Sequence, residues 1–311
     1  MKNILVTGGA GYIGSMLVPA LLNNSYKVTV IDNFMYKQNG LAHICENKNF
    51  EIINGDIRNL KLMKSLIDEH DIILPLAAIV GAPLCNKDPY AAQSINHDAI
   101  IEMFKICSAN HQIIMPTTNS AYGSGKENNY CDEKSKLNPI SKYAIDKVEV
   151  EKHLMKRENS ISYRLATVFG MSPRMRIDLL VNDFVYRAFH DTTLVLFEGH
   201  FKRNYIHVRD VVAGFLHAIN NFDKMKSEIF NVGLSDANLS KLELCAEIKK
   251  LIPNFFYIEE NIRQDPDQRN YIVSNLKIEN TGFKPRYSIA DGVNELIKGY
   301  SMIKNQNFGN F

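Results

Sequence analysis

The sequence has little of three features that would place it in a special class of protein: excess charge, paired cysteines and long apolar runs. Its 311 residues carry 36 Lys and Arg against 34 Asp and Glu, a formal net charge of +2. Proteins that bind the nucleic-acid backbone concentrate basic charge, and disordered chains lack a hydrophobic content of 45%. The composition therefore predicts a folded protein with no nucleic-acid partner.

Disulfides, metal-ligating cysteines and membrane spans are equally absent from the pattern. The five cysteines are odd in number, scattered and never spaced as CxxC, which predicts neither disulfides nor a metal site and favours a reducing compartment. The longest uncharged apolar run, 72–84, has 13 residues and contains Pro75, Gly81 and Pro83, so it cannot span a bilayer. No secretory signal follows Met1, and we expect a cytoplasmic protein with no membrane partner.

Short apolar runs alternate with amphipathic stretches through the first half of the chain. This alternation is typical of βαβ units and a parallel sheet. The runs are Ile4–Val6, Val28–Ile31, Glu51–Ile53, Ile72–Leu74, Ile113–Met115 and Ser162–Leu165, and the longest helical stretches are Tyr90–Ala109 and Ser141–Arg157. The pattern predicts an α/β fold, a Rossmann doubly wound parallel sheet with a smaller, interleaved, mixed α/β region at the carboxyl end.

The regular alternation ends after Gly170. We therefore expect one region over residues 1–170 and a second, smaller one over 171–311. The runs Asn204–Val208 and Ile229–Gly233 again resemble strand edges, so residues 203–230 are predicted to return to the first region.

A glycine-rich turn follows the first predicted strand. Gly9, Gly11 and Gly14 satisfy GxGxxG, and Gly8 with the last two satisfies GxxGxxG. Glycine permits a tight turn and close backbone approach, and the next helix offers N–H groups and the positive end of its dipole to a pyrophosphate. Asp32 lies 18 residues after Gly14, where a carboxylate binds ribose hydroxyls and repels a 2′-phosphate. The loop thus predicts NAD rather than NADP.

A tyrosine can act as a base in alcohol oxidation when a nearby cation lowers its pKa from about 10. A lysine four residues later on a helix shares its face and supplies that cation. The YxxxK pattern occurs at Tyr122, Tyr130, Tyr143 and Tyr300, with Lys126, Lys134, Lys147 and Lys304.

Context selects the pair that starts at Tyr143. Tyr122 is followed by two glycines, Tyr130 lies in a polar loop, and Tyr300 is far from any cofactor signal. Tyr143 opens a strong helical pattern between the fifth and sixth strands. Thr118 closes the fifth strand at the carboxyl edge of the sheet, where open α/β folds bind ligands.

Together these features resemble extended short-chain dehydrogenases/reductases of the nucleotide-sugar epimerase and dehydratase family, over nearly the whole chain. The resemblance rests on the glycine loop, Asp32, Asp56-Ile57, Leu76-Ala77-Ala78, Asn96, Thr118, Tyr143 with Lys147, 164–170 and 203–208. It implies that Tyr143 is the base, that Lys147 holds the nicotinamide ribose and lowers the pKa of Tyr143, and that Thr118 hydrogen-bonds the reacting hydroxyl. It also implies that 1–170 holds NAD tightly and that 171–311 mainly binds substrate.

The predicted cofactor contacts combine this implication with the glycine-loop argument. They are Gly8, Gly11, Tyr12, Ile13, Gly14, Asp32, Asn33, Asp56, Ile57, Leu76, Ala77, Ala78, Asn96, Tyr143 and Lys147. Structural alternatives stay open for three of them. Asp56 caps a turn equally well, Ala78 suits plain packing, and Asn96 suits a structural hydrogen bond.

Departures from the family pattern narrow the chemistry. Sugar 4,6-dehydratases carry an Asp and a Glu directly after the active-site Thr, where this chain has Asn119 and Ser120, so elimination lacks its acid and base. Relatives that epimerise two centres have a Cys at the position of Ser120. Thr118, Tyr143 and Lys147 remain, which suffice to remove or return a hydride at one carbon, usually C4.

The implied substrate is a nucleotide-diphosphate sugar, whose diphosphate an arginine can bind bidentately. Predicted substrate contacts are Thr118, Asn119, Arg174, Arg176, Asn182, Arg203 and Arg269, of which Arg203 best matches the family's phosphate-binding arginine. Arg174 and Arg176 fit solvated surface charges equally well. Thr167 stands where many relatives have a substrate-contacting Asn, which puts the usual pyranose contacts in doubt.

The segments 164–187, 203–210 and 270–285 are similar to bacterial GDP-heptose C4 dehydrogenases of capsule biosynthesis. This implies oxidation of GDP-D-glycero-D-manno-heptose at C4, with a 2-oxo acid as one way to reoxidise NADH. A UDP-glucose/galactose-type 4-epimerase and a non-catalytic NAD-binding regulatory protein stay open as alternatives.

The helices predicted at 90–109 and 141–157 pair between subunits in many relatives, which implies a homodimer or homotetramer. Their polar faces equally fit solvated helices.

Overall fold

The structure is a computed structural model that describes residues 2–123, 130–260, 269–303 and 309. The strands are β1 (Asn3–Thr7), β2 (Lys27–Asp32), β3 (Phe50–Asn54), β4 (Ile72–Pro75), β5 (Gln112–Thr118), β6 (Tyr130–Cys131), β7 (Ser160–Leu165), β8 (Thr167–Phe169), β9 (Thr193–Phe197), β10 (Lys202–His207), β11 (Glu228–Val232), β12 (Asn238–Ser240), β13 (Phe256–Glu260) and β14 (Ile272–Val273). The α-helices are α1 (Gly14–Asn23), α2 (Leu60–Asp68), α3 (Ala82–Lys87), α4 (Pro89–Gln93), α5 (Ala99–Ile106), α6 (Lys142–Leu154), α7 (Leu180–His190), α8 (Val208–Asn220), α9 (Phe222–Met225), α10 (Lys241–Leu251), α11 (Leu276–Glu279) and α12 (Ile289–Tyr300).

A seven-stranded parallel sheet forms the centre of the molecule, in the order β3-β2-β1-β4-β5-β7-β11. Its inner strands β1, β4, β5 and β7 are almost wholly buried because helices cover both faces of the sheet. Ile4 of β1 pairs with Val28 of β2 and Ile72 of β4, and all three side chains are fully buried. The predicted α/β Rossmann fold is confirmed.

Two groups of helices enclose this sheet. Leu17 of α1 and Phe215 of α8 share one core with residues of β1 and β7. Ile67 of α2, Phe104 of α5 and Val150 of α6 belong to a second core on the sheet. Within the described ranges, no helix combines the length and the apolar character needed to cross a bilayer.

The strand order reverses between β1 and β4, where Thr7 lies opposite Pro75. At such a switch point the connections from neighbouring strands leave in opposite directions and open a crevice at the carboxyl edge. This geometry brings the glycine loop after β1 next to residues 76–78 after β4.

Element boundaries depart from the sequence pattern in two places. The helix predicted at 90–109 is divided by a π-helical turn, Ser94–Asp98, between α4 and α5. Of the two strands predicted after residue 200, β11 completes the large sheet, whereas β10 lies between β12 and β8 in a small three-stranded sheet. The division of the chain at residue 170 stays a prediction.

Candidate active site

A cavity of about 490 Å³ runs along the carboxyl edge of the sheet. Its walls come from the glycine loop, from the segments after β2, β4 and β5, from α6 and from the segment after β8. The predicted site residues that line it are Gly8, Gly11, Tyr12, Ile13, Gly14, Asp32, Asn33, Asp56, Ile57, Leu76, Ala77, Ala78, Thr118, Tyr143, Lys147, Arg174, Arg176 and Arg269. Most of the residues expected to bind cofactor and to do chemistry therefore share one cavity.

The glycine loop is a close-fitting cradle that a side chain would fill. Gly8 has φ +67°, and a Cβ built on it would lie 2.5 Å from the Cα of Ala77. A Cβ on Gly14 would lie 2.4 Å from the carbonyl oxygen of Gly9. Helix α1 starts at Gly14 with no side-chain cap on its amino end. The loop thus offers the backbone approach and the helix amino end that a pyrophosphate needs, and NAD fits the site.

Asp32 fixes the end of the cavity at which the cofactor's adenosine ribose belongs. One carboxylate oxygen accepts a hydrogen bond from the backbone N–H of Ala10 at 3.0 Å, and the other accepts one from Phe34 at 2.9 Å. Burial raises the pKa of this carboxyl, and the two backbone bonds oppose that rise.

Asp56 both caps a turn and lines the cavity, so both roles considered for it from the sequence are compatible with the structure. Its carboxylate accepts from the backbone N–H of Arg58 at 2.9 Å and pairs with the guanidinium of Arg58 at 2.6 Å. The hydrogen bond from that guanidinium lowers the pKa of Asp56. The residue also lines the cavity, so the turn does not remove it from the cofactor's reach.

Tyr143 and Lys147 lie one turn apart on α6, which Ser141 caps by accepting from the N–H of Ala144 at 3.2 Å. Burial lowers the pKa of Lys147 to about 8 and raises that of Tyr143 to about 12. Burial therefore outweighs the effect of the nearby cations on Tyr143, and the lowering of its pKa by Lys147 that the resemblance implies stays a prediction. The cations that lower the pKa of Tyr143 are Arg176 and Arg269.

Thr118 is held by the residue two places after it. Its hydroxyl donates to Oγ of Ser120 at 2.9 Å and accepts from the backbone N–H of Ser120 at 3.1 Å. Ser120 also accepts from the guanidinium of Arg269. The Thr118 hydroxyl retains one lone pair, which leaves it an acceptor for a further hydroxyl group.

Arg174 and Arg176 are not solvated surface charges. They are 2% and 8% exposed. The guanidinium of Arg174 lies 4.3 Å from the ring centroid of Tyr36, and Arg176 pairs with Asp178 at 2.5 Å. A buried cation is retained where it is paired or bound to a partner, so both belong to the cavity wall.

Four predicted site residues do not line the cavity: Asn96, Asn119, Asn182 and Arg203. Asn96, expected to contact the cofactor, instead bonds the backbone N–H and C=O of Ile79, both at 2.8 Å. Asn96 therefore holds the loop after β4 in place, because a fully buried amide needs hydrogen-bond partners within the protein.

The other three were expected to contact substrate. Asn182 accepts from the N–H of Gly170 at 3.0 Å and donates to the carbonyl of Arg176 at 2.8 Å. Arg203 is 2% exposed and lies 5.8 Å from the ring centroid of Tyr271, which itself lines the cavity. The Asn119 amide is buried and makes no hydrogen bond to any described residue. None of the three reaches the cavity directly.

Ser120, Tyr36 and Asp178 line the cavity and were not predicted as contacts. Ser120 carried a signal, since it lies two residues after Thr118. Tyr36 carried none, because it lies in an irregular loop whose path depends on tertiary contacts.

Of the competing YxxxK pairs, Lys126 and Lys304 lie outside the described residues, and the Tyr122 hydroxyl is bound to Asn231 at 2.7 Å. Among described residues, no His, Cys, Asp and Glu cluster could hold a metal.

A doubly wound parallel sheet with a pyrophosphate cradle, a ribose carboxylate and a Tyr/Lys pair in one cavity defines an NAD-dependent Rossmann enzyme. The model of the NAD dependent epimerase/dehydratase family matches residues 4–233. The chain belongs to this family, whose members are NAD-dependent enzymes of oxidoreductase-type chemistry that act on nucleotide sugars.

Similar proteins span nearly the whole chain. The low-salt glycan biosynthesis protein Agl12 of Haloferax volcanii is 26% identical and covers 96% of this chain and 98% of its own. The UDP-glucose 4-epimerase of Thermotoga maritima, solved with UDP-glucose, is 26% identical with a TM-score of 0.83, over 97% of this chain and 100% of its own. The UDP-glucuronic acid 4-epimerase of Bacillus cereus, solved with NAD, has a TM-score of 0.86 at 24% identity and covers 97% and 99%.

Proposed function

We propose that this protein oxidises the C4 hydroxyl of a nucleotide-linked sugar to a 4-keto sugar, with GDP-D-glycero-D-manno-heptose as substrate, in capsular polysaccharide biosynthesis. One observation carries the reaction type: Thr118, Tyr143 and Lys147 line the same cavity as the pyrophosphate cradle. The heptose and the guanine nucleotide rest on the sequence resemblance of segments 164–187, 203–210 and 270–285. A cytoplasmic location completes the proposal, on the ground of the five scattered thiols.

In this mechanism Tyr143 takes the proton of the C4 hydroxyl. Thr118 orients that hydroxyl by donating a hydrogen bond to its oxygen, for which the Thr118 hydroxyl would turn away from Ser120, the group to which it donates in this structure. Lys147 binds the nicotinamide ribose. NAD, when bound, supplies the acceptor for the C4 hydride and a positive charge beside Tyr143. That charge would add to those of Arg176 and Arg269 and bring the pKa of the phenol down from about 12.

The residues beside Thr118 support a reaction that stops at one carbon. Asn119 and Ser120 occupy the places at which a dehydratase needs an acid and a base. An amide and an alcohol exchange no proton with substrate near neutral pH. Arg269 and Arg176 line the cavity and supply positive charge for the substrate's diphosphate, and Arg203, 5.8 Å from the ring centroid of Tyr271, adds to it.

A 4-epimerase is the second candidate. The similar Thermotoga maritima protein is a UDP-glucose 4-epimerase, and the same three side chains could return the hydride to the other face of the ketone. The two candidates differ in the fate of NADH, which a dehydrogenase must reoxidise, with a 2-oxo acid as the proposed oxidant. A non-catalytic regulatory role is disfavoured because the three chemical residues are all present.

Replacing Tyr143 by Phe tests the catalytic assignment. We expect the variant to retain NAD and to lose turnover by about 10²- to 10⁴-fold, because the ring stays and the base is gone. Tyr130→Phe is the matched control, since Tyr130 also satisfies YxxxK but is 62% exposed. Steady-state kinetics with cofactor content measured by absorbance would decide, and full activity of Tyr143→Phe would reject the assignment.

Product analysis identifies the substrate and the reaction. The protein would be incubated with GDP- and UDP-linked sugars, with and without a 2-oxo acid, and the products read by NMR. A 4-keto product from the GDP-heptose supports the proposal. Ready interconversion of UDP-glucose and UDP-galactose would replace it by the epimerase.

A further inference from the structure

Ser120 joins a cation to the Thr118 hydroxyl inside the cavity. The guanidinium of Arg269 donates to Oγ of Ser120, and Oγ of Ser120 lies 2.9 Å from Oγ1 of Thr118. All three residues line the cavity, as does Tyr143. These hydrogen bonds form the Ser120 bridge, which connects the charge of Arg269 to the hydroxyl that the proposed mechanism directs at the reacting oxygen.

The segment that carries Arg269 is packed against the turn that follows β5. The backbone N–H of Asn270 donates to the carbonyl of Gly123 at 3.3 Å. The rings of Tyr271 and Tyr122 meet edge to face with their centroids 6.2 Å apart, and both side chains are buried in a small core of their own. Backbone and aromatic contacts therefore place the guanidinium at this turn.

The same turn fixes the oxygen of Thr118 and leaves its proton able to rotate. Thr118 caps the short 3₁₀ turn Asn119–Tyr122, and its oxygen accepts from the backbone N–H of Ser120 at 3.1 Å. A hydroxyl proton turns about its C–O bond to suit its surroundings. In this structure the proton points to Ser120. The oxygen therefore has one position, whereas its proton has more than one direction.

The donors and acceptors of the bridge allow a second arrangement. A guanidinium has donors only, so Ser120 must give one lone pair to Arg269, and its hydroxyl keeps one proton and one further lone pair. Ser120 can accept from Thr118, as it does in this structure, or donate to the remaining lone pair of Thr118 across the same 2.9 Å. In the second arrangement Thr118 accepts two hydrogen bonds from Ser120, and its own proton is available to the sugar oxygen.

The charge of Arg269 favours the second arrangement when a sugar is bound. A hydroxyl that accepts from a cation becomes a stronger donor, because hydrogen bonds in series polarise one another. The sugar oxygen develops negative charge as it loses its proton to Tyr143, and donors aimed at such an oxygen stabilise the transition state. Arg269 therefore favours donation by Ser120 to Thr118, and the charge on the sugar favours donation by Thr118 to its oxygen.

We propose that Arg269 and Ser120 are positioning residues that hold the Thr118 proton on the C4 oxygen of the sugar while Tyr143 acts as the base. The proposal rests on the proposed function for the identity of the reacting oxygen. No covalent bond is made or broken in the Ser120 bridge. The proton of the C4 hydroxyl goes to Tyr143 and the C4 hydride goes to NAD, while two hydroxyl groups of the bridge change direction.

Variants of the bridge separate positioning from diphosphate binding. Reduction of bound NAD by the sugar nucleotide is followed by absorbance in single turnovers. Ser120→Ala and Arg269→Met should each lower the maximal rate by about 10-fold or more, since each weakens a hydrogen bond to a charged oxygen. Ser120→Ala should leave the half-saturating substrate concentration unchanged, because the lost interaction belongs to the transition state. Arg269→Lys should restore most of the rate, because an ammonium group also donates.

A double variant and a pH profile show whether the two residues act through one path. Ser120→Ala/Arg269→Met should react no more slowly than Arg269→Met, because the bridge can be lost only once. Burial raises the pKa of Tyr143 to about 12, and Arg269 is one of two cations that lower it. Arg269→Met should therefore move the rise of the rate with pH to higher pH, whereas Ser120→Ala should not. Ser65→Ala and Arg286→Met change exposed residues and should react at the wild-type rate.

Three results would overturn the proposal. They are a maximal rate of Ser120→Ala within about twofold of wild type, multiplied effects in the double variant, and an Arg269→Met variant that raises only the half-saturating concentration. Bound NAD is measured in each variant as a check of folding, and Arg269→Gln replaces Arg269→Met if that variant does not fold. Failure of the proposed function is read separately, from the substrate and product of the wild type. The variants still test the bridge in that case, because both candidate reactions oxidise C4.

Discussion

The burial of Lys147 lowers the stability of the cofactor-free protein. It is 3% exposed, and burial lowers its pKa from 10.5 to about 8. Below pH 8 both the folded and the unfolded chain carry the proton, and the folded chain bears the full cost of burying it. Between pH 8 and 10.5 the folded chain alone loses the proton, so this cost declines as the pH rises.

Lys147→Met should therefore stabilise the cofactor-free protein near neutral pH. The expected gain in the free energy of unfolding is about 3 kcal/mol from the pKa shift at about 1.4 kcal/mol per unit, and it should shrink as the pH is raised through 8 toward 10.5. Denaturant unfolding at several pH values would measure it. Lys152→Met, on the same helix but 61% exposed at its side chain, should show no such pH dependence. A destabilised Lys147→Met at pH 7 would contradict the argument.

Residues whose role follows from neighbours in sequence could be predicted, and those whose role follows from packing could not. Asp32 sits at a fixed spacing from the glycine loop, and Tyr143 at a fixed spacing from Lys147, so local pattern was enough to bring them to the cavity wall. Asn96 lies off the cavity wall because its amide bonds the backbone of Ile79, and its cofactor contact stays a prediction. Tyr36 was not predicted as a cavity residue because its loop has no periodic sequence pattern.

At the scale of elements, α6 is fastened to the sheet by a buried ion pair. Glu151 on α6 pairs with Arg164 of β7 at 2.6 Å, and both side chains are 4% exposed. The same carboxylate accepts hydrogen bonds from Thr117 at 2.9 Å and from Ser162 at 2.7 Å. The helix that carries Tyr143 is thereby aligned with the strand that ends at Thr118.

Glu151→Gln should destabilise the protein by about 3 kcal/mol or more, because it leaves the Arg164 guanidinium buried without its counter-charge. Glu149→Gln is the control on the same helix. Its side chain is 44% exposed in a pair with Lys152, and its loss should change the free energy of unfolding by at most about 0.5 kcal/mol. Urea denaturation of the two variants gives the comparison, and equal losses would show that the buried pair does not anchor α6.

The elements themselves were largely predictable, since six of the predicted runs lie within β1 to β5 and β7. The break in the helix that follows Pro89 was not. The π-helical turn Ser94–Asp98 contains Asn96, whose hydrogen bonds to Ile79 come from a distant segment. A tertiary contact therefore overrides the local preference for a continuous helix. The periodicity of apolar residues cannot predict such a contact, because it reflects only neighbours along the helix.

At the scale of the whole molecule, we expect the homodimer or homotetramer that the resemblance implies to use the exposed surface of α4 and α6. Tyr90 is 83% exposed and Ile145 is 43% exposed, although both are apolar enough to favour burial. Helices α4 and α6 pack against each other, and exposed aromatic and aliphatic side chains on adjoining elements are typical of an interface. The proposed oligomer therefore has an apolar surface available on the helices from which the resemblance expected it.

Tyr90→Glu combined with Ile145→Glu should convert the proposed oligomer to a monomer, because two carboxylates would be buried without partners. Light scattering coupled to size-exclusion chromatography measures the mass. Leu276→Glu, at an exposed position of α11, should leave the mass unchanged. A wild-type protein that already elutes as a monomer at micromolar concentration would reject the proposed oligomer.

The position of β11 at the edge of the large sheet has a consequence for synthesis. β7 is complete at Leu165, but its outer partner spans Glu228–Val232 and reaches the sheet only after α7, β10 and α8 have been made. A ribosome adds roughly 5 to 20 residues per second, so a hydrogen-bonding edge stays open for several seconds in every nascent chain. Open edges recruit other strands. We expect the half-made chain to need a chaperone more than the finished enzyme does.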